Sequence, residues 1–292
     1  MKIVVAASSR VALPTIEHLQ ELGHDLIIAT MPDRPAGRGL KLQPSEIGLH
    51  FPDAIRIDTE TDLQKLLKGS ELLLTVAYGR ILGSETLKIP RFGSINLHFS
   101  LLPKWRGAAP VQRAIEAGDE VTGVSVFQMD SGMDTGPIWI QKKFNVLEGF
   151  TSTQLFTELS ELGKYAVAEA VDLINSGEKA HPQSGEVSIA KKISKEECRL
   201  NWNQECDVLL RKIRAFSPHP GTYTHARGQV LKVLDAQSSD ISLEPGLIND
   251  AGIIGTANKA IQLLTVKPAG KREMSVTDWL NGFKPQPGEH FE

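Results

Sequence analysis

The spacing of apolar residues switches along the chain between strand and helix periods, and the switching predicts an α/β protein. Residues 2–7 (KIVVAA) are a continuous apolar run of strand length, which predicts a buried parallel strand. Leu13, Ile16, Leu19 and Leu22 then share one helical stripe, with Pro14 near its start and Gly23 past its end. Asp25–Thr30 reads as a second strand, and strand, helix, strand in about 30 residues is a βαβ unit with a parallel sheet. Leu72–Ala77 and Ser94–Leu97 continue the sheet, and Val121–Met129 and Gly136–Phe144 read as a strand pair around the loop DSGMDTG. Helices are predicted over Ala109–Ala117 and, from a cap at Thr151 or Ser152, along the stripe Leu155, Leu159, Leu162, Ala166 and Leu173 to Gly177.

After Gly177 the pattern changes. Val208, Leu209, Ile213 and Phe216 mark one amphipathic helix, stopped by Pro218 and Pro220. The segments GTYTH, QVLKVLDA, GLI, GIIGT and AIQLLTV are short strand candidates separated by turns, which suggests a small antiparallel barrel. Ser275–Asn281 is a last helix, with Ser275 and Asp278 at capping-box spacing. The expected division is a large α/β domain over 1–188, a polar connecting stretch over 189–205 and a small barrel domain over 206–292.

Two loops interrupt the periodic segments in informative ways. The first turn, AASSRV, lacks the GxGxxG pattern, so a dinucleotide site is not supported. Met31–Ser45 carries three prolines and two glycines, which argues against regular structure there. Arg34, Arg38 and Lys41 make it basic. It follows a strand of an α/β sheet, the edge where ligands bind, and it exceeds the usual ~2–6-residue connection.

Composition narrows the class without choosing a function. With 292 residues, 41% hydrophobic and 23% charged, the chain is long enough for one large and one small domain. No apolar run approaches the roughly 20 residues of a membrane helix, and MKIVVAASSR lacks the layout of a signal peptide, so a cytoplasmic protein with no membrane contact is expected. Cys198 and Cys206 have no partner at metal spacing and are expected as free thiols. The net charge of −3 excludes a general nucleic-acid binder. Its distribution is uneven: residues 1–188 hold 18 basic and 23 acidic residues, net −5, and residues 189–292 hold 14 and 12, net +2.

The candidate chemistry lies between Ser94 and Ile138. Asn96 and His98 alternate along one strand and so point to the same side. Arg106 is flanked by Gly107, and Asp134 sits in the DSGMDTG loop. An Asn amide donates to a developing oxyanion. A His bonds the same oxygen or hands a proton to a leaving nitrogen, and an Asp orients that His or takes a proton itself. This set needs no metal and suits acyl transfer from one bound molecule to another. Taken singly, each residue has a bland alternative: Asn96 as a cap, His98 as a satisfied core histidine, Asp134 as a turn former.

The stretch NLHFSLLPKWRGAAPVQRAI, followed by DSGMDTG, closely resembles the folate-dependent formyltransferase family. MPDRPAGRG, VAYGRIL, AKKISKEE, IRAFSPHPG and KPAGKREM resemble the branch that acts on methionyl-tRNA. The resemblance implies a Rossmann-like parallel-sheet formyltransferase domain followed by an OB-like β-barrel that binds tRNA. It implies transfer of the formyl group of 10-formyltetrahydrofolate to the amino group of methionyl initiator tRNA, by a monomer. Asn96, His98 and Asp134 match the catalytic set, with Asp134 holding His98 in the useful tautomer. Ser100, Leu101, Leu102 and Pro103 match the folate-contacting segment, and Arg38, with Arg34 and Lys41 beside it, the tRNA-contacting loop. The sequence departs from that branch at AASSRV and at Phe99, where packing is the expected role of the ring. Competing readings are a formyltransferase for a nucleotide or sugar amine, an RNA-binding protein without turnover, and a hydrolase releasing formate.

Overall fold

Strand-length apolar runs need cover on both faces, and the helices between them supply it. The structure, a computed structural model, describes residues 1–36 and 40–292. In chain order the strands are β1 Lys2–Ala7, β2 Asp25–Thr30, β3 Arg34–Ala36, β4 Lys41–Gln43, β5 Ile55–Arg56, β6 Leu72–Val76, β7 Ser94–His98, β8 Arg106–Gly107, β9 Val121–Gln128, β10 Ile138–Asn145, β11 Ile189–Ala190, β12 Thr222–Ala226, β13 Gln229–Ser239, β14 Ile253–Gly255, β15 Ala260–Pro268 and β16 Met274–Ser275. The helices are α1 Leu13–Glu21, α2 Glu46–His50, α3 Glu60–Leu67, α4 Ser84–Leu87, α5 Pro110–Ala117, α6 Ser152–Asn175, α7 Cys206–Phe216 and α8 Val276–Phe283.

By its internal contacts the chain divides into two units. One comprises Met1–Pro110, Val121–Asn145 and Phe156–Ala190; the other comprises Val111–Glu120, Val146–Leu155 and Lys191–Glu292. The first is Rossmann-like, a seven-stranded sheet in the order β10-β9-β7-β6-β1-β2-β5. The five strands from β7 to β5 run parallel. β9 is antiparallel to β7, and β10 to β9, so the sheet is mixed rather than purely parallel. Ile3–Ala7 of β1 and Leu72–Leu74 of β6 are wholly buried, as their unbroken apolar runs require. The direction of winding reverses between β1 and β6, and the loops after those two strands open on the same edge.

The basic loop departs from expectation. Arg34–Ala36 and Lys41–Gln43 pair antiparallel, with Arg34 opposite Gln43 and Ala36 opposite Lys41. Pro35 is accommodated because a two-stranded ribbon is all edge, where a missing N–H costs no ladder bond.

The second unit contains the expected OB-like small sheet. β12, β13, β15 and β14 pair antiparallel in that order, and β16 joins β15. GLI forms only isolated bridges, from Leu247 and Ile248, and is not a strand. α7 lays Leu209 and Ile213 against a core that includes Trp202, Val233, Ile261 and Trp279. Ser275 caps α8 by accepting from the Asp278 N–H. Both cysteines are free and buried. Among the described residues, no helix is long and apolar enough to cross a membrane, and no cluster of His, Cys, Asp and Glu suits a metal ion.

Candidate active site

β7 is an interior strand, so its side chains are aimed by pairing on both sides. Thr75 of β6 stands opposite Asn96, and Ser125 of β9 stands opposite His98. Thr75 Oγ1 donates to Asn96 Oδ1 at 2.8 Å. That bond fixes the amide and turns its NH₂ group away from the strand partner.

His98 is buried, and its ring is oriented by a backbone group. Nε2 lies 2.9 Å from the Trp105 carbonyl oxygen. A carbonyl only accepts, so Nε2 carries the hydrogen. The neutral ring then has its lone pair on Nδ1, which faces Asp134 Oδ2 at 3.7 Å. The tautomer is therefore set by Trp105, not by Asp134 as the resemblance implied. Burial pushes the pKa of His98 down, against the opposing pull of the Asp134 carboxylate and the Trp105 carbonyl. At neutral pH the site thus presents an uncharged imidazole whose accepting nitrogen sits beside a carboxylate.

The two aspartates of DSGMDTG have different tasks. Asp130 ties the loop, its Oδ1 accepting from the Gly132 N–H at 2.9 Å and from the Thr135 hydroxyl at 2.7 Å. Asp134 has a left-handed backbone, φ +54°, and directs its carboxylate inward. Its Oδ2 accepts from the Gly107 N–H at 2.8 Å. Gly107 is required there: its φ is +121°, and a Cβ would stand 2.7 Å from the Ala190 carbonyl oxygen. Gln183 completes the arrangement, bonded to Arg106 and to the Asp134 loop.

The side chains of residues 100–103 are engaged within the protein. The Ser100 hydroxyl donates to the Lys104 carbonyl at 2.6 Å. Leu102 and Pro103 are buried, and Leu101 packs on Gly123, where an added Cβ would meet its Cδ2 at 2.7 Å. Ser125 Oγ donates to the Ser100 carbonyl at 2.6 Å and accepts from the Leu102 N–H at 3.0 Å. Gln141 Nε2 donates to the Leu102 carbonyl at 2.8 Å and to Ser125 Oγ at 2.9 Å. The turn is held rigid by polar groups from β9 and β10. Phe99 packs edge-to-face on Phe156, with centroids 5.5 Å apart, the packing role expected of it.

At the switch point, the ends of β1, β2 and β6 enclose a cleft of about 420 Å³. Met31, Pro32, Pro44 and Tyr78 give it an apolar wall, with Arg34 and Gln43 of the hairpin at its rim. Glu46 faces the turn after β1. Its Oε2 accepts from the Ser9 hydroxyl at 2.9 Å and from the Arg10 N–H at 2.8 Å. That carboxylate gives the missing GxGxxG a physical counterpart. The Tyr78 hydroxyl is buried without a hydrogen-bond partner among the described residues. Arg34 and Lys41 are exposed on the hairpin, and Arg38 lies outside the described residues.

Thr75, Trp105 and Gln183 escape sequence reasoning. Thr75 lies in an apolar run, Trp105 acts through its carbonyl, and Gln183 lies in a polar stretch without periodicity.

Comparison with known proteins agrees with this architecture. A family described as formyl transferase matches residues 1–171, and the formyl transferase C-terminal domain matches residues 192–284. The methionyl-tRNA formyltransferase of Renibacterium salmoninarum is 39% identical over 305 residues, covering 100% of this chain and 99% of its own. HypX from Aquifex aeolicus, solved in complex with tetrahydrofolic acid, aligns with a TM-score of 0.73 at 18% identity, over 97% of this chain and 47% of HypX. The methionyl-tRNA formyltransferase from Clostridium thermocellum aligns with a TM-score of 0.63 at 18% identity, over 82% of this chain and 94% of that one. The two structural likenesses speak for the fold, and the full-length identity speaks for kinship. This chain belongs to the formyl transferase family, on its methionyl-tRNA formyltransferase branch.

Proposed function

We propose that the protein transfers the formyl group of 10-formyltetrahydrofolate to the α-amino group of methionyl initiator tRNA. The observation that carries this reading is the accepting Nδ1 of a buried, neutral His98, 3.7 Å from Asp134 Oδ2, on the strand that also presents the Asn96 amide. Such a set moves a proton from an attacking amine to a leaving nitrogen while an N–H donor steadies the carbonyl oxygen.

The donor set suits a formyl amide. The folate supplies an activated formyl group on nitrogen. Asn96 Nδ2 donates to the formyl oxygen as it gains negative charge. His98 Nδ1 takes the proton released when the amine nitrogen bonds to carbon, and Asp134 stabilises the imidazolium so formed. The same Nδ1 returns the proton to the folate nitrogen as its bond to carbon breaks. An α-amino group titrates near about 7.7–8.0, so a usable fraction is neutral at physiological pH. Residues 100–103 act toward the folate through backbone and shape, since their side chains are committed to packing. The apolar cleft at the switch point receives the aminoacyl end. Arg34 and Lys41, with Arg38 between them in sequence, meet tRNA phosphates, and residues 206–292 supply a second tRNA surface. The protein acts in the cytoplasm as a monomer, in keeping with the free thiols of Cys198 and Cys206.

The test is direct. Charged initiator tRNA and 10-formyltetrahydrofolate, incubated with the protein, should yield N-formylmethionine. Formate release independent of acceptor, or formylation of a sugar or nucleotide amine in its place, would refute the reading.

A further inference from the structure

The segment from His181 to Ala190 looks like a connection, yet it is fastened at several points along the candidate site. His181 exchanges backbone hydrogen bonds with Ile138 at 2.7 and 2.8 Å. The Ser188 carbonyl accepts from the Arg106 N–H at 2.9 Å, and its hydroxyl accepts from the Trp105 N–H at 2.9 Å. β11 then pairs with β8. Gln183 lies in the middle of this strap and reaches inward.

Every hydrogen-bonding group of its amide has a use. Nε2 donates to the carbonyls of Asp134 and Gly136, both at 2.8 Å. Oε1 accepts from Arg106 Nε at 3.1 Å and Nη2 at 2.6 Å. The orientation admits no flip: a guanidinium only donates and a carbonyl only accepts. Gln183 therefore joins the loop carrying Asp134 to the residue preceding Gly107, whose N–H donates to the Asp134 carboxylate. A left-handed backbone at a residue other than glycine persists only when its surroundings over-determine it.

We propose that Gln183 is a positioning residue for formyl transfer: it holds the Asp134 turn so that the carboxylate stays beside His98 Nδ1. The inference rests on the roles given above to His98 and Asp134. Gln183 acts through Asp134 and touches neither substrate.

Two variants test it. Gln183→Met keeps the length and removes all four hydrogen bonds. Gln183→Glu keeps the acceptor for Arg106 and sets an oxygen against the two carbonyls. Both variants are expected to lose about 10–100-fold in kcat, the range for displaced supporting groups, with KM for each substrate within about threefold. The ring-proton NMR titration of His98, read without substrate, should move to lower pH in Gln183→Met, because the carboxylate that favours the charged ring is no longer held. Wild-type kcat in both variants, or in Gln183→Glu alone, would overturn the proposal. If Gln183→Met fails to fold, Gln183→Glu decides. If the wild-type protein makes no N-formylmethionine, the proposed function fails, and the His98 titration still rules on Gln183: a lowered titration supports the role, an unchanged one overturns it.

Discussion

Replacing Asp134 by Asn tests the proton-transfer reading most sharply, because it removes one charge and little else. Asn keeps an oxygen that can accept from the Gly107 N–H, now at 2.8 Å, so the loop retains its anchor. What disappears is the carboxylate 3.7 Å from His98 Nδ1. The two side chains are 6% and 20% exposed, so solvent screening is modest. At an effective dielectric of about 20, opposite unit charges near that separation attract by about 4 kcal/mol. If His98 is an imidazolium near the transition state, that attraction corresponds to about a 10³-fold loss in kcat. Part of it will be recovered by relaxation and water, so the expected loss is about 10²–10³-fold, with folate affinity nearly unchanged.

The pH profile adds a second, independent reading. In the proposed mechanism His98 works as the neutral ring, so activity is expected to fall on the acid side as Nδ1 protonates. Asp134 opposes the effect of burial on this histidine. Without the carboxylate the ring protonates less readily, and the acid limb of kcat should move to lower pH even as the plateau falls. Single-turnover formylation of charged initiator tRNA, measured across pH, gives both quantities. A variant within about fivefold of wild type, with its acid limb in place, would refute the role of Asp134.

The remaining expectations are simpler. Asn96→Ala should lower kcat by about 10²–10³-fold, the cost of one oxyanion donor, with folate binding kept. Ser125→Ala strips the turn 100–103 of two hydrogen bonds and Gln141 of a third, and leaves the Leu102 N–H and the Ser100 carbonyl under-satisfied, a loss of about 1–3 kcal/mol in chemical denaturation and a weaker folate Kd by titration. Arg34→Ala and Lys41→Ala should each weaken tRNA binding and reduce the slope of log K against log salt by about one, read by filter binding at several ionic strengths. Stability should fall on acidification through the histidine range: the folded state holds His98 below its unfolded value of 6.5, so the unfolded chain binds the proton first. The contribution is present above about pH 6.5 and is lost as pH falls toward the folded value, and urea melts of wild type and His98→Gln across that window isolate it.

Much of this molecule was legible in its sequence because periodicity reports burial. The run KIVVAA became β1 because a strand covered on both faces must be apolar throughout. Asn96 and His98 stood out because polar residues at alternate positions of such a strand leave its face together. The pairing of Arg34–Ala36 with Lys41–Gln43 was hidden by Pro35, which argues against a strand only where the strand is interior. The groups that tune the chemistry were hidden for another reason: they act at long range or through backbone. The Trp105 carbonyl sets the tautomer of His98, and no residue type signals a carbonyl. Thr75 orients Asn96 across a register visible only once β6 and β7 are paired. Gln183 lies 49 residues after the loop it holds.

These hidden groups change what the visible motif means. D-x-G-x-D-T-G reads as one acidic loop, but Asp130 and Asp134 have opposite assignments. Asp130 spends its carboxylate on the Gly132 N–H and the Thr135 hydroxyl of its own turn, which makes the turn rigid. Asp134 accepts from the Gly107 N–H and turns the same carboxylate oxygen toward the histidine. The turn built by the first aspartate thus carries the second in a left-handed conformation that Gln183 braces from outside. His98 is braced likewise from the Trp105 side, so neither partner of the proposed proton-transfer pair depends on the other for its place. Both are set before substrate arrives, and their 3.7 Å gap, too long for a hydrogen bond, leaves Nδ1 uncommitted to Asp134. A pair fixed independently at that separation suits a proton that must arrive from one nitrogen and leave to another, which a tightly bonded His–Asp couple would oppose.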